Sequence, residues 1–157
     1  MLGLTIALAM IMSYIEVLVP LSFAVPGIKM GLANIVIIFT LYKLGTKEAI
    51  LVSLIRVILV SLLFSNVMAM AYSIAGAVLS LGIMWILKKT DKFSVVGVSV
   101  AGGVMHNVGQ ILMAVILLGT KQIALYLPVL IVTGTATGVV IGIVASLVLK
   151  RFEKVRF

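Results

Sequence analysis

Seven polar side chains interrupt runs that are otherwise aliphatic: Glu16, Asn34, Arg56, Tyr72, His106, Asn107 and Gln110. One kind of chemistry is within their reach. A guanidinium and carboxamides donate hydrogen bonds to carboxylate or phosphate oxygens, and the guanidinium does so in a fixed, two-pronged geometry. Lys29, in the stretch "PGIKMGLANI", adds a cation close to the first of these amides. His106 and Gln110 stand four residues apart and share a helix face with Gly102, while Asn107 shares its face with Ser99 and Gly103. Glycines on those faces leave room for a ligand or for a close neighbouring helix. Tyr72 offers a ring to the aromatic or prenyl part of a ligand. Each residue also has a plainer use. Arg56 can pair with Glu16, His106 can pack, Asn107 and Gln110 can hydrogen-bond between helices, and Lys29 can anchor a loop among lipid headgroups.

Covalent chemistry is poorly supplied. The sequence contains no G-x-x-x-x-G-K-[ST] phosphate loop, so ATP is not bound that way. One histidine and no cysteine argue against a zinc site. Asp91, in "KKTDKF", is the sole aspartate, whereas magnesium-dependent diphosphate chemistry needs several carboxylates. No nucleophile stands beside a base. The expectation is a protein that is not an enzyme and that carries no cofactor and no metal.

What positions these groups is a membrane bundle. Of 157 residues, 64% are hydrophobic and only 10% charged, and the mean hydropathy is +1.39. A soluble domain is about half apolar and a quarter charged, so this chain has too little polar surface to face water. The net charge of +8 falls in short clusters between apolar runs, a membrane pattern and not a nucleic-acid footprint. The start, "MLGLTIALAM", lacks the basic segment of a cleavable signal and reads as the first span. Punctuation at Pro20–Gly31, Gly45–Glu48, Ser65–Asn66, Lys88–Ser94 and Gly119–Gln122 divides the chain into six segments. They fall near 2–18, 31–44, 48–64, 67–87, 94–118 and 122–149, in one all-α transmembrane domain over 1–157. The second is short, and the last is long enough to tilt or to include an interfacial turn.

Lys43, Lys47, Lys88, Lys89, Lys92, Lys150, Arg151, Lys154 and Arg156 fall on one side, and only Lys29 and Lys121 on the other. Nine against two places both termini in the cytoplasm and the loops after the odd-numbered spans outside. These basic residues also suit contact with anionic membrane lipids. At about 1.5 Å per residue, Arg56 lies roughly 12 Å below the outer surface, and the other polar groups lie in the outer half or near the midplane. The pattern predicts a polar cavity open to the outside and sealed below by apolar packing. Gly134, Gly138, Gly142 and Ser146 put small residues every four along the last span; Gly3 and Ala7, then Ala9 and Ser13, repeat that spacing in the first. Such stripes suit either packing inside the bundle or docking of a partner's helices.

The stretches "PGIKMGLANI", "SLIRVILVSLLF", "YSIAGAVLS" and "GVSVAGGVMHNVGQILMA" carry a resemblance over nearly the whole chain. It resembles the bacterial Gx transporter family, whose members are often labelled heptaprenyl diphosphate synthase component I. That family is in turn similar to the substrate-binding S components of energy-coupling-factor transporters. The resemblance implies a six-helix bundle of the plasma membrane that binds a vitamin-like small molecule from outside. It also implies docking on a transmembrane coupling protein that works with two ATPase subunits, with Gly3, Ala7 and Ala9 as the docking residues. The residues' own types and depths give the expected ligand site as Lys29, Asn34, Arg56, Tyr72, His106, Asn107, Gln110 and Glu16, with a lid from Pro20 to Met30. Two other functions stay open: a non-catalytic scaffold in prenyl diphosphate or quinone synthesis, and an autonomous small-molecule transporter.

Overall fold

The computed structural model describes residues 1–18 and 31–154. These residues form α1 (Leu2–Leu18), α2 (Leu32–Lys43), α3 (Thr46–Phe64), α4 (Val67–Thr90), α5 (Val95–Leu118), a 3-10 helix (Lys121–Tyr126) and α6 (Leu127–Arg151), with no strand among them. Three stretches, Val67–Thr90, Val95–Leu118 and Lys121–Arg151, are long and apolar enough to cross a membrane. The other three differ in specific ways. α1 has 17 residues, and α2 has 12, a rise of about 18 Å against a hydrocarbon core of about 30 Å. α3 has 19 residues but carries Lys47, Glu48 and Arg56.

Local chemistry fixes the boundaries. Asn66 caps α4 by accepting from the Ala69 N–H at 2.8 Å, and Ser94 caps α5 by accepting from the Gly97 N–H at 3.2 Å. Gly119 ends α5 in the left-handed region, φ 64°, where a glycine is unstrained. The last apolar segment begins with the 3-10 turn at Lys121–Tyr126, and Pro128 follows in the first turn of α6, where its missing N–H costs no helical bond.

α4, α5 and α6 interlock as antiparallel neighbours through glycines. A Cβ on Gly109 would stand 2.6 Å from the Ala75 carbonyl oxygen of α4, and one on Gly138 would stand 2.7 Å from Val100 Cα of α5. Backbones this close exclude any larger residue. The glycine stripe of the last helix therefore serves packing inside the bundle.

At one end of the bundle, lysines tie helix ends together. Lys43 Nζ donates to the carbonyls of Phe152 (2.6 Å) and Glu153 (3.3 Å), and Lys88 Nζ donates to that of Leu41 (2.5 Å). The termini of α2, α4 and α6 thus gather Lys43, Lys88, Lys89, Lys150 and Arg151 at a single end. Above that end lies the apolar core, including Val36, Ile37, Leu41, Val52, Met84, Val98 and Ile141.

α1 corrects one expectation. Gly3 and Ala7 lie on its exposed face, where a Cβ on Gly3 would meet nothing within 4 Å. Ala9 is fully buried in the core and shares its face with Thr5 and Ser13. Two residues turn a helix by about 200°, so Ala7 and Ala9 face opposite ways, and Ala9 is not part of an outer docking surface.

Candidate functional site

At the other end of the bundle a polar cavity opens among α1, α2, α3, α5 and α6. Its walls include Glu16, Asn34, Arg56, Ser99, His106 and Asn107, together with Thr133 and Thr137 and four glycines; its cavity volume is about 50 Å³. Five of the residues singled out by type and position therefore meet in one place, from four different helices.

Arg56 is brought there by α3, whose buried face carries Ala49, Val52, Ser53 and Val57. Its Nη1 donates to Ser13 Oγ of α1 at 3.3 Å. Its Nε is buried and has no hydrogen-bond partner among the described residues. A guanidinium offers five N–H donors, so this side chain has donors to spare in a setting where an unmade bond is costly.

Glu16 reaches across from the end of α1. Its Oε1 accepts from the backbone N–H of Leu32, the first residue of α2. Gly31, immediately before, sits in the left-handed region at φ 73° and contributes no side-chain cap of its own. Glu16 therefore acts as a cap supplied by another helix. Its charge also complements the positive end of the α2 dipole. The same carboxylate interacts electrostatically with Arg56. Asn34 stands in the first turn of α2 on the cavity wall.

α5 supplies the opposite wall. Asn107 Nδ2 donates to the Leu130 carbonyl of α6 at 2.7 Å. That amide occupies the space over Gly134, where a Cβ would stand 2.8 Å from Nδ2. His106 packs against Gly76 of α4: a Cβ there would lie 3.0 Å from both Cε1 and Nδ1 of the ring. Thr133 and Thr137 direct their hydroxyl protons to backbone carbonyls of their own helix, at 3.2 Å to Leu130 and 2.9 Å to Thr133. Their oxygens thus remain as acceptors at the wall.

Two expected members stand elsewhere. Tyr72 on α4 and Gln110 on α5 are half-buried and do not line this cavity. The antiparallel register that sets Gly76 beside His106 puts both about one turn further along, towards the Leu118 end of α5. Lys29 and the expected lid over Pro20–Met30 lie outside the described residues. Conversely, Thr133 and Thr137 line the cavity and Ser13 accepts from Arg56, and none of the three is among the expected ligand contacts. The signal for the threonines was available: they stand four apart, one residue before Gly134 and Gly138 respectively.

Chemically, the site presents one guanidinium, one carboxylate already accepting from the Leu32 N–H, two amides, an imidazole and hydroxyls around a small space. That set suits the oxygens of a carboxylate or phosphate. Among the described residues, no cluster of three His, Cys, Asp or Glu side chains stands ready for a metal ion.

A family model for heptaprenyl diphosphate synthase component I matches residues 5–148, and the chain belongs to that family. Neither a curated protein nor a solved structure gives a match. The family name describes one component of a synthase, in keeping with a subunit that is not itself the enzyme.

Proposed function

We propose that this member of the heptaprenyl diphosphate synthase component I family is a membrane subunit that captures a small anionic or amphipathic ligand in the Arg56 cavity. One observation carries the proposal: Arg56, whose buried Nε has no partner among the described residues, stands in the wall of a polar cavity formed by several helices. A buried donor left unmade costs roughly 1–3 kcal/mol, and more on a charged group. A carboxylate or phosphate that meets the guanidinium in the cavity gains a charge-assisted bond.

In this proposal all six helices lie in the bacterial plasma membrane, the basic end and both termini face the cytoplasm, and the cavity faces out. Asn34 roofs the site, Tyr72 and Gln110 flank it one turn away, and Lys29 is proposed as a further ligand contact. Lacking a phosphate loop of its own, the chain would draw on a transmembrane coupling protein with two ATPase subunits. Gly3 and Ala7 on the exposed face of α1 suit that contact.

The test is retention without energy. Purified alone in detergent, with no nucleotide, the protein should carry a small molecule detectable by native mass spectrometry, and a pull-down from membranes should bring an ATPase pair and its membrane partner. A second reading is favoured by the family name: a non-catalytic scaffold that recruits a soluble prenyl synthase to the basic end. A pull-down that returns a synthase subunit, from a protein that never retains a small molecule, would establish the scaffold instead.

A further inference from the structure

We infer that a groove at the basic end of the bundle, between α1, α2 and α6, holds an acyl chain of one anionic phospholipid, with its phosphate against Lys47, Lys150 and Arg151. The inference rests on the membrane placement proposed above, but not on the Arg56 cavity, with which the groove shares no lining residue.

The groove has a cavity volume of about 340 Å³. Its wall is almost wholly apolar and includes Leu4 and Leu8 of α1, Phe39 and Leu44 at the end of α2, and Val148 and Phe152 at the end of α6. It is held open by specific contacts. Phe39 and Phe152 meet edge to face, with centroids 5.6 Å apart at 75°. Lys43 ties the α6 end to α2 through the Phe152 and Glu153 carbonyls. A space of this size is lined by aliphatic and aromatic side chains, and the hydroxyl of Thr5, the polar side chain in its wall, donates to the Leu2 carbonyl of its own helix, so little is left to receive water or a charged ligand. A hydrocarbon chain is the matching occupant.

Charge selects the head. Lys43 is occupied by backbone carbonyls, but Lys47, Lys150, Arg151 and Lys154 are exposed around the same helix ends. Against them stand Glu48 and Glu153, leaving a positive excess beside Leu44 and Phe152, the residues that line the mouth. An anionic headgroup gains from that excess and a zwitterionic one does not.

Delipidated full-length protein in detergent should be titrated with phosphatidylglycerol or phosphatidylcholine and the bound lipid read by native mass spectrometry. One phosphatidylglycerol should be retained, about tenfold more tightly than phosphatidylcholine. Val148→Trp should abolish retention of both. Lys150→Gln with Arg151→Gln, at exposed positions that do not endanger folding, should bring phosphatidylglycerol down to the level of phosphatidylcholine and leave phosphatidylcholine unchanged. Equal retention of the two lipids by the unaltered protein, or no effect of the double charge removal, would overturn the inference. If the protein instead partitions into water without detergent, the membrane placement itself fails; a lost lipid preference in a protein that still needs detergent condemns the groove alone.

Discussion

Arg56 and Glu16 show how two charges that interact electrostatically in an apolar setting also bind other groups. Glu16 is committed to the first N–H of α2, and Arg56 keeps a bond to Ser13 and a buried donor beside the cavity. The cap predicts a graded result. Glu16→Ala removes the acceptor and should destabilise the protein by about 1 kcal/mol. Glu16→Gln retains an acceptor and loses only the charge at the helix terminus, so it should cost about half as much. Thermal unfolding in detergent measures both, and equal losses would show that the carboxylate acts through its charge alone. That Arg56, His106 and Asn107 share a polar cavity was legible only from the crowding of polar residues into one half of the bundle; by rise per residue, Gln110, not His106 or Asn107, comes level with Arg56. That Glu16 reaches a backbone N–H was not, because a cap supplied by a distant helix leaves no local spacing to read. Asn107 shows the same limit: its amide lines the cavity and also ties α5 to α6, a dual use that residue type alone does not separate.

Among elements, the tight unit is α4, α5 and α6, whose small residues let backbones touch. Gly138→Ala drives a Cβ to 2.7 Å from Val100 Cα, a backbone atom that cannot yield locally, and should cost roughly 1–3 kcal/mol. Gly3→Ala, facing open space, should leave the melting temperature unchanged apart from a small gain in helix propensity. Melting curves of the two variants separate interior stripe from exposed face. Element boundaries were readable because glycines, Asn66 and Ser94 punctuate the apolar runs at their real ends. The direction of a small-residue stripe was harder. In α1 the two pairs Gly3–Ala7 and Ala9–Ser13 have identical spacing, and only contacts with α2 and α3 decide that the second pair is buried. The separation of Tyr72 and Gln110 from the cavity is also a packing outcome, set by how far α4 and α5 slide along each other.

For the whole molecule, the gathering of lysines and arginines at one end gives the bundle a polarity that a membrane would read. The apolar core lies next to that end and the polar cavity lies beyond it. The absence of cysteine makes the sequence a ready background for topology mapping. Thr120→Cys should react with a membrane-impermeant maleimide in intact cells, and Lys92→Cys should react only after lysis. The reverse pattern would turn the cavity towards the cytoplasm and remove capture from outside.

The most direct measurement compares the small molecule retained by the unaltered protein with that retained by Arg56→Ala and Arg56→Lys. All three would be purified identically and checked for helical content before native mass spectrometry. Loss of the bound mass in Arg56→Ala, with partial retention in Arg56→Lys because an ammonium keeps the charge but not the fork, is the expected result. The same mass held equally by Arg56→Ala and the unaltered protein would contradict a ligand site built on Arg56.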